Sequence, residues 1–329
     1  MVTMDDVAGK AKVSKSTVSR VLNGKLIVSP HIRQKVLSAC QELNYKLNFN
    51  IQDLVLKSRN GATRNIAFVL VGLQFADPAY ARLLDFIAEE VNQAHYQLQL
   101  VKLSGEETSR YELPPTLRDL RVDGILLTGD ITPQIMALIR DMGIECVVIG
   151  NYADELLLSC SNAKVNFQQA VAKGIRLLQK QGCSRMAFAD ENPQLFSVRE
   201  CYGAFRHALE SCNLAFNQEL IYWGNGNLSG VTTVLEPVFA ERQLPFDAIF
   251  CYDYRQAAEI SWLAMARYGQ TGRNDMVICT ARNFSYYKLP VPTVYVDLNL
   301  EGEVNAAFRQ LIGRLEGKVE CQTILVNSK

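Results

Sequence analysis

VTMDDVAGKAKVSKSTVSRVLN, residues Val2 to Asn23, has the spacing of two short helices joined by a tight turn. Thr3 is placed to cap the first helix, and Asp5 and Asp6 fall in its first turn, where the helix dipole favours negative charge. Met4, Val7, Ala8 and Ala11 recur at i, i+3, i+4 and i+7 and give that helix one apolar face. Lys12 and Val13 make the turn. Ser14 caps the second helix, whose buried side is Val18, Val21 and Leu22. The opposite side presents Lys15, Ser16, Ser19 and Arg20, hydroxylated and cationic without a carboxylate. Such a face suits a nucleic acid duplex, because hydroxyls and cations serve phosphates while Arg and Lys pair with guanine edges. Spacing alone fits equally an ordinary amphipathic helix pair with a solvated basic face.

The chain continues with a third predicted helix from Ser29-Pro30 to Asn44, Ser29 being the cap and Pro30 lying in the first turn. Ile32, Val36, Leu37, Cys40 and Leu43 would close a three-helix core with the first two. Residues 46–64, KLNFNIQDLVLKSRNGATR, then read as a linker with a weakly helical first half.

The literal string settles what spacing leaves open. Asp6-Val7-Ala8, Ala11, Val13-Ser14 and Thr17-Val18-Ser19-Arg20-Val21-Leu22-Asn23 form the pattern DVAxxAxVSxxTVSRVLN. This resembles the amino-terminal helix-turn-helix of the LacI/GalR family of bacterial transcription repressors, and VSPHIRQKVLSACQELNY extends the resemblance. It implies that Lys15, Ser16 and Arg20 read bases, while Thr3, Ser14, Thr17, Ser19 and Asn23 hold phosphates or the turn. It also implies a hinge helix after the head, with Asn48 among its DNA contacts. Leu54 stands where the family's leucine wedges a base step open from the minor groove. Such a hinge would order on binding DNA. Two residues depart from the family pattern, Leu47 for a usual proline and Ile51 for a usual alanine.

Composition agrees with a basic head on an acidic body. The 329 residues carry a formal net charge of zero, but residues 1–60 hold ten Lys and Arg against four Asp and Glu, a net +6, which leaves −6 for the rest. The length predicts two or more domains. Nine scattered cysteines without a CxxC pair suggest a reducing compartment, and three isolated histidines give no metal-ligand spacing. With no signal peptide and no long apolar run, the expectation is a cytoplasmic, nucleoid-associated protein with no membrane contact, no cofactor and no metal.

From Asn65 the pattern alternates strand and helix. Apolar strands are expected at 66–73, 98–103, 124–128, 146–149, 186–189, 220–223, 248–252, 276–280 and 291–296. Helices are expected at 79–94, 114–121, 132–142, 167–181, 197–211, 229–242 and 255–268. Continuous apolar strands between helices imply parallel sheets covered on both faces. The predicted fold class is therefore a small all-α three-helix head plus an α/β body of two Rossmann-like doubly wound subdomains. The family resemblance makes that body periplasmic-binding-protein-like, through VDGILL (122–127), GIECVVIG (143–150), FDAIFCYD (246–253) and PTVYV (292–296). The expected division is a head over 1–46, hinge and linker over 47–64, and an effector-binding and dimerisation body over 65–329. Within the body, the amino subdomain takes about 65–161 and 293–320, and the carboxy subdomain about 162–292 and 321–329. The absence of a heptad tail favours a homodimer over a tetramer.

Ligands in doubly wound sheets bind beyond the carboxyl ends of the strands. Thr128 and Asp253 end predicted strands. The resemblance adds Phe75 and Tyr80 in the loop after the first strand, and Ser197 and Arg199 in SVRECYGAF, as effector contacts. It also gives Asp253 the slot of a residue that binds a sugar hydroxyl. Four positions depart from the family's pocket: Cys201 stands where its contact arginine usually sits, Ala281 for an aspartate, Val296 for a glutamine and Asn225 for an aromatic residue. Those departures argue against a common hexose held in the common way.

The expected function is a sequence-specific, DNA-binding transcriptional repressor. It would hold a pseudo-palindromic double-stranded operator as a dimer under control of a sugar-like small-molecule effector. Induction and corepression both remain open. One alternative keeps the DNA role but gives the pocket a protein partner or no ligand. A carbohydrate-binding receptor without DNA function is disfavoured by the basic head. An enzyme is disfavoured because the glycines of 224–230 are wrongly spaced for a phosphate loop and no catalytic set stands out.

Overall fold

The computed structural model describes residues 4–22, 29–43, 63–103, 122–157, 160–224, 230–241, 243–268, 276–282 and 288–329. The expected helix over 114–121, the hinge with Asn48 and Leu54, Thr3, Asn23 and Asn225 lie outside these residues.

The head is three helices, α1 (Met4–Ala11), α2 (Lys15–Leu22) and α3 (Pro30–Glu42). Val7, Ala8 and Ala11 from α1, Val18 and Val21 from α2, and Val36, Ala39 and Cys40 from α3 make one buried cluster. Ile32, expected in this core, is only half-buried, and Ala39 is buried instead. The α1–α2 turn is a Schellman closure: the Val13 amide donates to the Ala8 carbonyl at 3.0 Å and the Lys12 amide to the Gly9 carbonyl at 3.3 Å. Lys12 takes a left-handed φ of 54°, a place that glycine usually fills. Val13, the next residue, packs on the head core.

The body holds two parallel sheets. The elements of the first are β1 (Asn65–Val71), α4 (Pro78–Gln93), β2 (Gln97–Leu103), β3 (Gly124–Gly129), α5 (Pro133–Asp141), β4 (Glu145–Ile149), α6 (Asp154–Leu157) and β5 (Ser161–Val165). Those of the second are α7 (Phe167–Lys180), β6 (Met186–Asp190), α8 (Phe196–Ser211), β7 (Ile221–Trp223), α9 (Gly230–Ala240), β8 (Ala248–Asp253), α10 (Tyr254–Tyr268), β9 (Val277–Arg282) and β10 (Thr293–Tyr295). The chain then crosses back through α11 (Leu300–Leu315) to β11 (Thr323–Val326). Strand order is β11-β5-β4-β3-β1-β2 in one sheet and β10-β9-β8-β6-β7 in the other. β1, β3 and β4 are almost wholly buried, as central strands covered on both faces must be. In the second lobe Phe188 sits among Tyr202, Phe205, Trp223 and Phe250.

The exchange between lobes differs from the expectation. Residues 161–165 belong to the first sheet, Thr293–Tyr295 to the second, and Thr323–Val326 return to the first beside β5. The strand SNAKV escapes an apolar-run search because its buried residues include polar Ser161 and Asn162. The Asn162 amide donates to the carbonyls of Val148 at 3.0 Å and Gly150 at 2.9 Å, which offsets its desolvation. Leu220 closes a short 3-10 turn rather than opening a strand.

Candidate DNA-binding head and effector cleft

The head's functional surface is built at the start of α2. Ser14 Oγ accepts from the Thr17 amide at 3.1 Å, the N-cap bond its position predicts. The same oxygen shares hydrogen bonds with Ser16 Oγ at 2.8 Å and Thr17 Oγ1 at 2.7 Å. Ser14, Lys15 and Ser16 are exposed, Thr17 is half-buried and Val18 is fully buried. The apolar side of this helix therefore faces the core, and hydroxyls and a cation face outward at its amino end, where amide dipoles attract anions. Ser19 and Arg20 continue the helix; their side chains lie outside the described residues, like Thr3, Asn23, Asn48 and Leu54.

The cleft walls come from the carboxyl ends of the strands. On the first lobe, Tyr152 anchors the wall: its hydroxyl donates to the Gly129 carbonyl at 2.8 Å and accepts from the Gly129 amide at 2.9 Å. Burial holds that phenol well above its ordinary titration range. Thr128 is buried and donates to the Ile149 carbonyl at 2.8 Å. Tyr80 is half-buried and close enough to Tyr152 to influence it electrostatically. Phe75 packs edge-on against Phe68, with ring centroids 5.7 Å apart.

On the second lobe, Asp253 caps α10, accepting from the Arg255 amide at 2.9 Å and from its guanidinium at 3.1 Å. Beneath it lies Asp190, at the end of β6 and only 2% exposed. One of its oxygens accepts from the Glu191 amide at 2.8 Å and from Gln256 at 3.2 Å. The other oxygen is buried and receives no hydrogen bond of good geometry from a described residue, like Gln256 Oε1 and Glu191 Oε2 nearby. Burial pushes the Asp190 carboxyl up to about 6, against the opposing effect of Gln256 and adjacent backbone amides. Ser197 is half-buried and Arg199 exposed in the first turn of α8. Cys201 is fully buried in the hydrophobic core, so a side chain at this position here meets no ligand. Val296 is likewise core.

Two polar bridges cross between the lobes. Arg255 reaches Asp77, the N-cap of α4, at 3.4 Å. Asn151, after β4, donates to Glu200 of α8 at 2.7 Å, and Lys164 lies 3.9 Å from the same carboxylate. The carboxyl edges of the two sheets therefore face each other across a cleft. The sequence reading missed Asp77, Asn151, Tyr152, Asp190, Glu200 and Arg255. Their only local signals were a strand end and the Asp-Pro and Asp-x-Arg pairs at 77–78 and 253–255.

Two family models match this chain. The one described as bacterial regulatory proteins, lacI family, covers residues 3–48, and the one described as periplasmic binding proteins and sugar binding domain of LacI family covers residues 63–318. The chain belongs to the LacI family. Catabolite control protein A of Staphylococcus xylosus is 27% identical over 284 residues, 86% of this chain and 82% of its own. The HTH-type transcriptional repressor PurR of Vibrio parahaemolyticus is 25% identical over 331 residues, 97% of this chain and 93% of its own. The HTH-type transcriptional regulator MalR of Streptococcus pneumoniae is 26% identical over 228 residues, 68% and 67% of the two chains.

Among solved structures, the lac repressor dimer bound to operator and the anti-inducer ONPF superposes with a TM-score of 0.68 at 17% identity, covering 100% of this chain and 97% of its own. The transcriptional regulator CelR–cellobiose complex gives 0.65 at 22% identity, covering 100% and 98%. These structural likenesses show the fold. As a LacI-family member the chain is a DNA-binding transcriptional regulator from a family with sugar and other metabolite effectors, and its relatives are regulators rather than enzymes. Among the described residues, no helix is long and apolar enough to cross a membrane.

Proposed function

We propose that this LacI-family regulator is a cytoplasmic repressor that grips a pseudo-palindromic operator as a homodimer and releases or tightens it when a small metabolite enters the cleft. The reading divides the chain into a head (1–46), hinge and linker (47–64) and effector body (65–329). The observation that carries the DNA half is the capped amino end of α2, with Lys15 and Ser16 exposed above a buried Val18. Two such helices would enter successive major grooves, half-sites about one helical turn apart. Lys15, Ser16 and Arg20 read bases, Ser14, Thr17 and Ser19 serve phosphates, and Leu54 wedges the central step. A homodimer follows in this reading from the two half-sites of such an operator.

For the effector half, the support is Asp190 with Gln256. Buried oxygens of Asp190, Glu191 and Gln256 that receive no hydrogen bond of good geometry from described residues suit a ligand rich in hydroxyl or amino hydrogens, as a sugar-like metabolite is. Phe75, Tyr80, Thr128, Ser197, Arg199 and Asp253 line the same walls in this reading. Closing the lobes on a ligand would act through Arg255–Asp77 and Asn151–Glu200 and shift the hinges. Asp253→Ala tests it: operator affinity stays while the effector response is blunted, and an intact response would assign the pocket elsewhere.

A second reading, the same DNA role without a small ligand, has its own support. Thr128 and Asp253 already spend their hydrogen bonds within the protein, and Cys201 is core. Titration calorimetry of the full chain against sugar, nucleoside and amino-sugar pools separates the two. Heat that disappears in Asp190→Asn favours the first reading, and silence in every pool favours the second.

A further inference from the structure

A cluster of thiols lies at the opposite, amino-terminal edge of the first sheet, remote from the cleft walls. Cys146 is the second residue of β4 and Cys160 immediately precedes β5, one step before the paired positions Val147 and Ser161. Residues opposed across adjacent strands point to one face, and neighbouring strands run about 4.8 Å apart. That falls within the Cα separation of about 4.4–6.8 Å that a disulfide spans. Cys160 packs against the buried cluster that contains Cys146, and each thiol shifts the titration of the other. Both line a cleft of about 320 Å³ whose rim carries Arg140, Arg314 and Cys321. Cys146 is buried and Cys160 half-buried, so a small solute reaches Cys160 first.

The electrostatics separate the two sulfurs. Cys146 draws the Cys160 thiol down, with Arg140 and Arg314 acting in the same sense and burial and Glu145 opposing. Cys146 itself is pushed far up by Cys160 and by burial. Arg314 is held in place by two bonds to Glu145, at 3.0 and 3.1 Å. Cys201, Cys251 and Cys279, buried in the other lobe, are all shifted upward by desolvation. A thiolate beside guanidinium groups is the reactive kind, and a desolvated thiol is the inert kind.

We propose that Cys160 and Cys146 form a peroxide-reactive dithiol, a modification site separate from the effector cleft. The Cys160 thiolate attacks a hydroperoxide: an S–O bond forms, the O–O bond breaks, and the leaving oxygen takes a proton. Cys160 becomes a sulfenic acid, oxidised by two electrons as the peroxide is reduced. Cys146 then gives up its proton and attacks that sulfur; an S–S bond forms, the S–O bond breaks and water departs. The product ties the starts of two neighbouring strands in the sheet that receives the chain from the hinge.

Dilute hydrogen peroxide added to the reduced full chain tests this by mass spectrometry. The expected product is two hydrogens lighter, its unreduced digest joins the Cys146 and Cys160 peptides, and dithiothreitol reverses both changes. In Cys146→Ser, dimedone should trap the sulfenic acid on Cys160. Cys160→Ser should consume peroxide about tenfold more slowly, whereas Cys321→Ser should keep the link. First oxidation at Cys321 or at any other cysteine, with no Cys146–Cys160 link in the wild-type digest, would overturn the proposal without need of a variant.

Discussion

The head and the cleft carry function by opposite constructions. On α2 the apolar residues turn inward and the polar ones outward, so Lys15 and Ser16 are exposed above the buried Val18. The cleft gathers residues as far apart in sequence as 77 and 255, and most of their polar groups are already spent on one another. Such walls are preorganised but mostly self-satisfied. Along these walls Asp190, Glu191 and Gln256 each keep a buried oxygen that receives no hydrogen bond of good geometry from a described residue. A surface reader tolerates exposed polarity at little cost, whereas an unspent buried carboxylate is costly and so points to a ligand.

Four changes sharpen or break this contrast. Arg20→Ala should cost the selected duplex about a hundredfold in affinity, the size of a lost bidentate base contact, with the body's melting transition unmoved. Retained affinity would remove the helix's assigned role.

Asp190→Asn comes next. The wild-type carboxyl ionises at about 6 when folded against 3.8 for the ordinary group, so the folded state holds the proton more tightly. Stability from the neutral form is fully present below pH 3.8 and has been lost once pH rises through 6. The variant should therefore match the wild type near pH 4 and exceed it by on the order of 2–3 kcal/mol at pH 8, read from urea melts at the two pH values. Equal gains at both would detach the effect from ionisation.

Ser14→Ala should destabilise the head by about 1 kcal/mol through loss of the cap to Thr17, seen as faster amide exchange in α2. Smallest is Lys12→Gly, which relieves a left-handed φ and, net of chain entropy, should stabilise the head by about 0.5 kcal/mol. A loss of stability there would mean that the Lys12 side chain contributes more than its backbone costs.

The same contrast explains what could be read from the residues alone. The head was legible because its core, cap and outward face repeat within a short span: Val7, Ala8, Ala11, Val18 and Val21 are all buried, and Ser14 caps as its position implies. Central strands such as IAFVLV at 66–71 were legible because burial on both faces leaves an unbroken apolar run. β5 was not, because Asn162 is buried through hydrogen bonds that periodicity does not register. The lobe exchange went astray for a related reason: Thr293–Tyr295 and Thr323–Val326 are short edge strands that either sheet could accept. Strand-end logic put Thr128 and Asp253 at the carboxyl ends of strands, where the structure has them. The same logic reaches Asp190, at the end of β6, but not the Asp77–Arg255 and Asn151–Glu200 bridges, because long-range pairing of side chains leaves no mark in local sequence.

The most direct test of the central claim is selection of random duplexes by the purified full chain at fixed salt, repeated with pools of small metabolites. The account predicts recovery of a palindrome with two half-sites about one turn apart around a flexible central step, with enrichment changed by one pool. Enrichment of no duplex under any condition would contradict it.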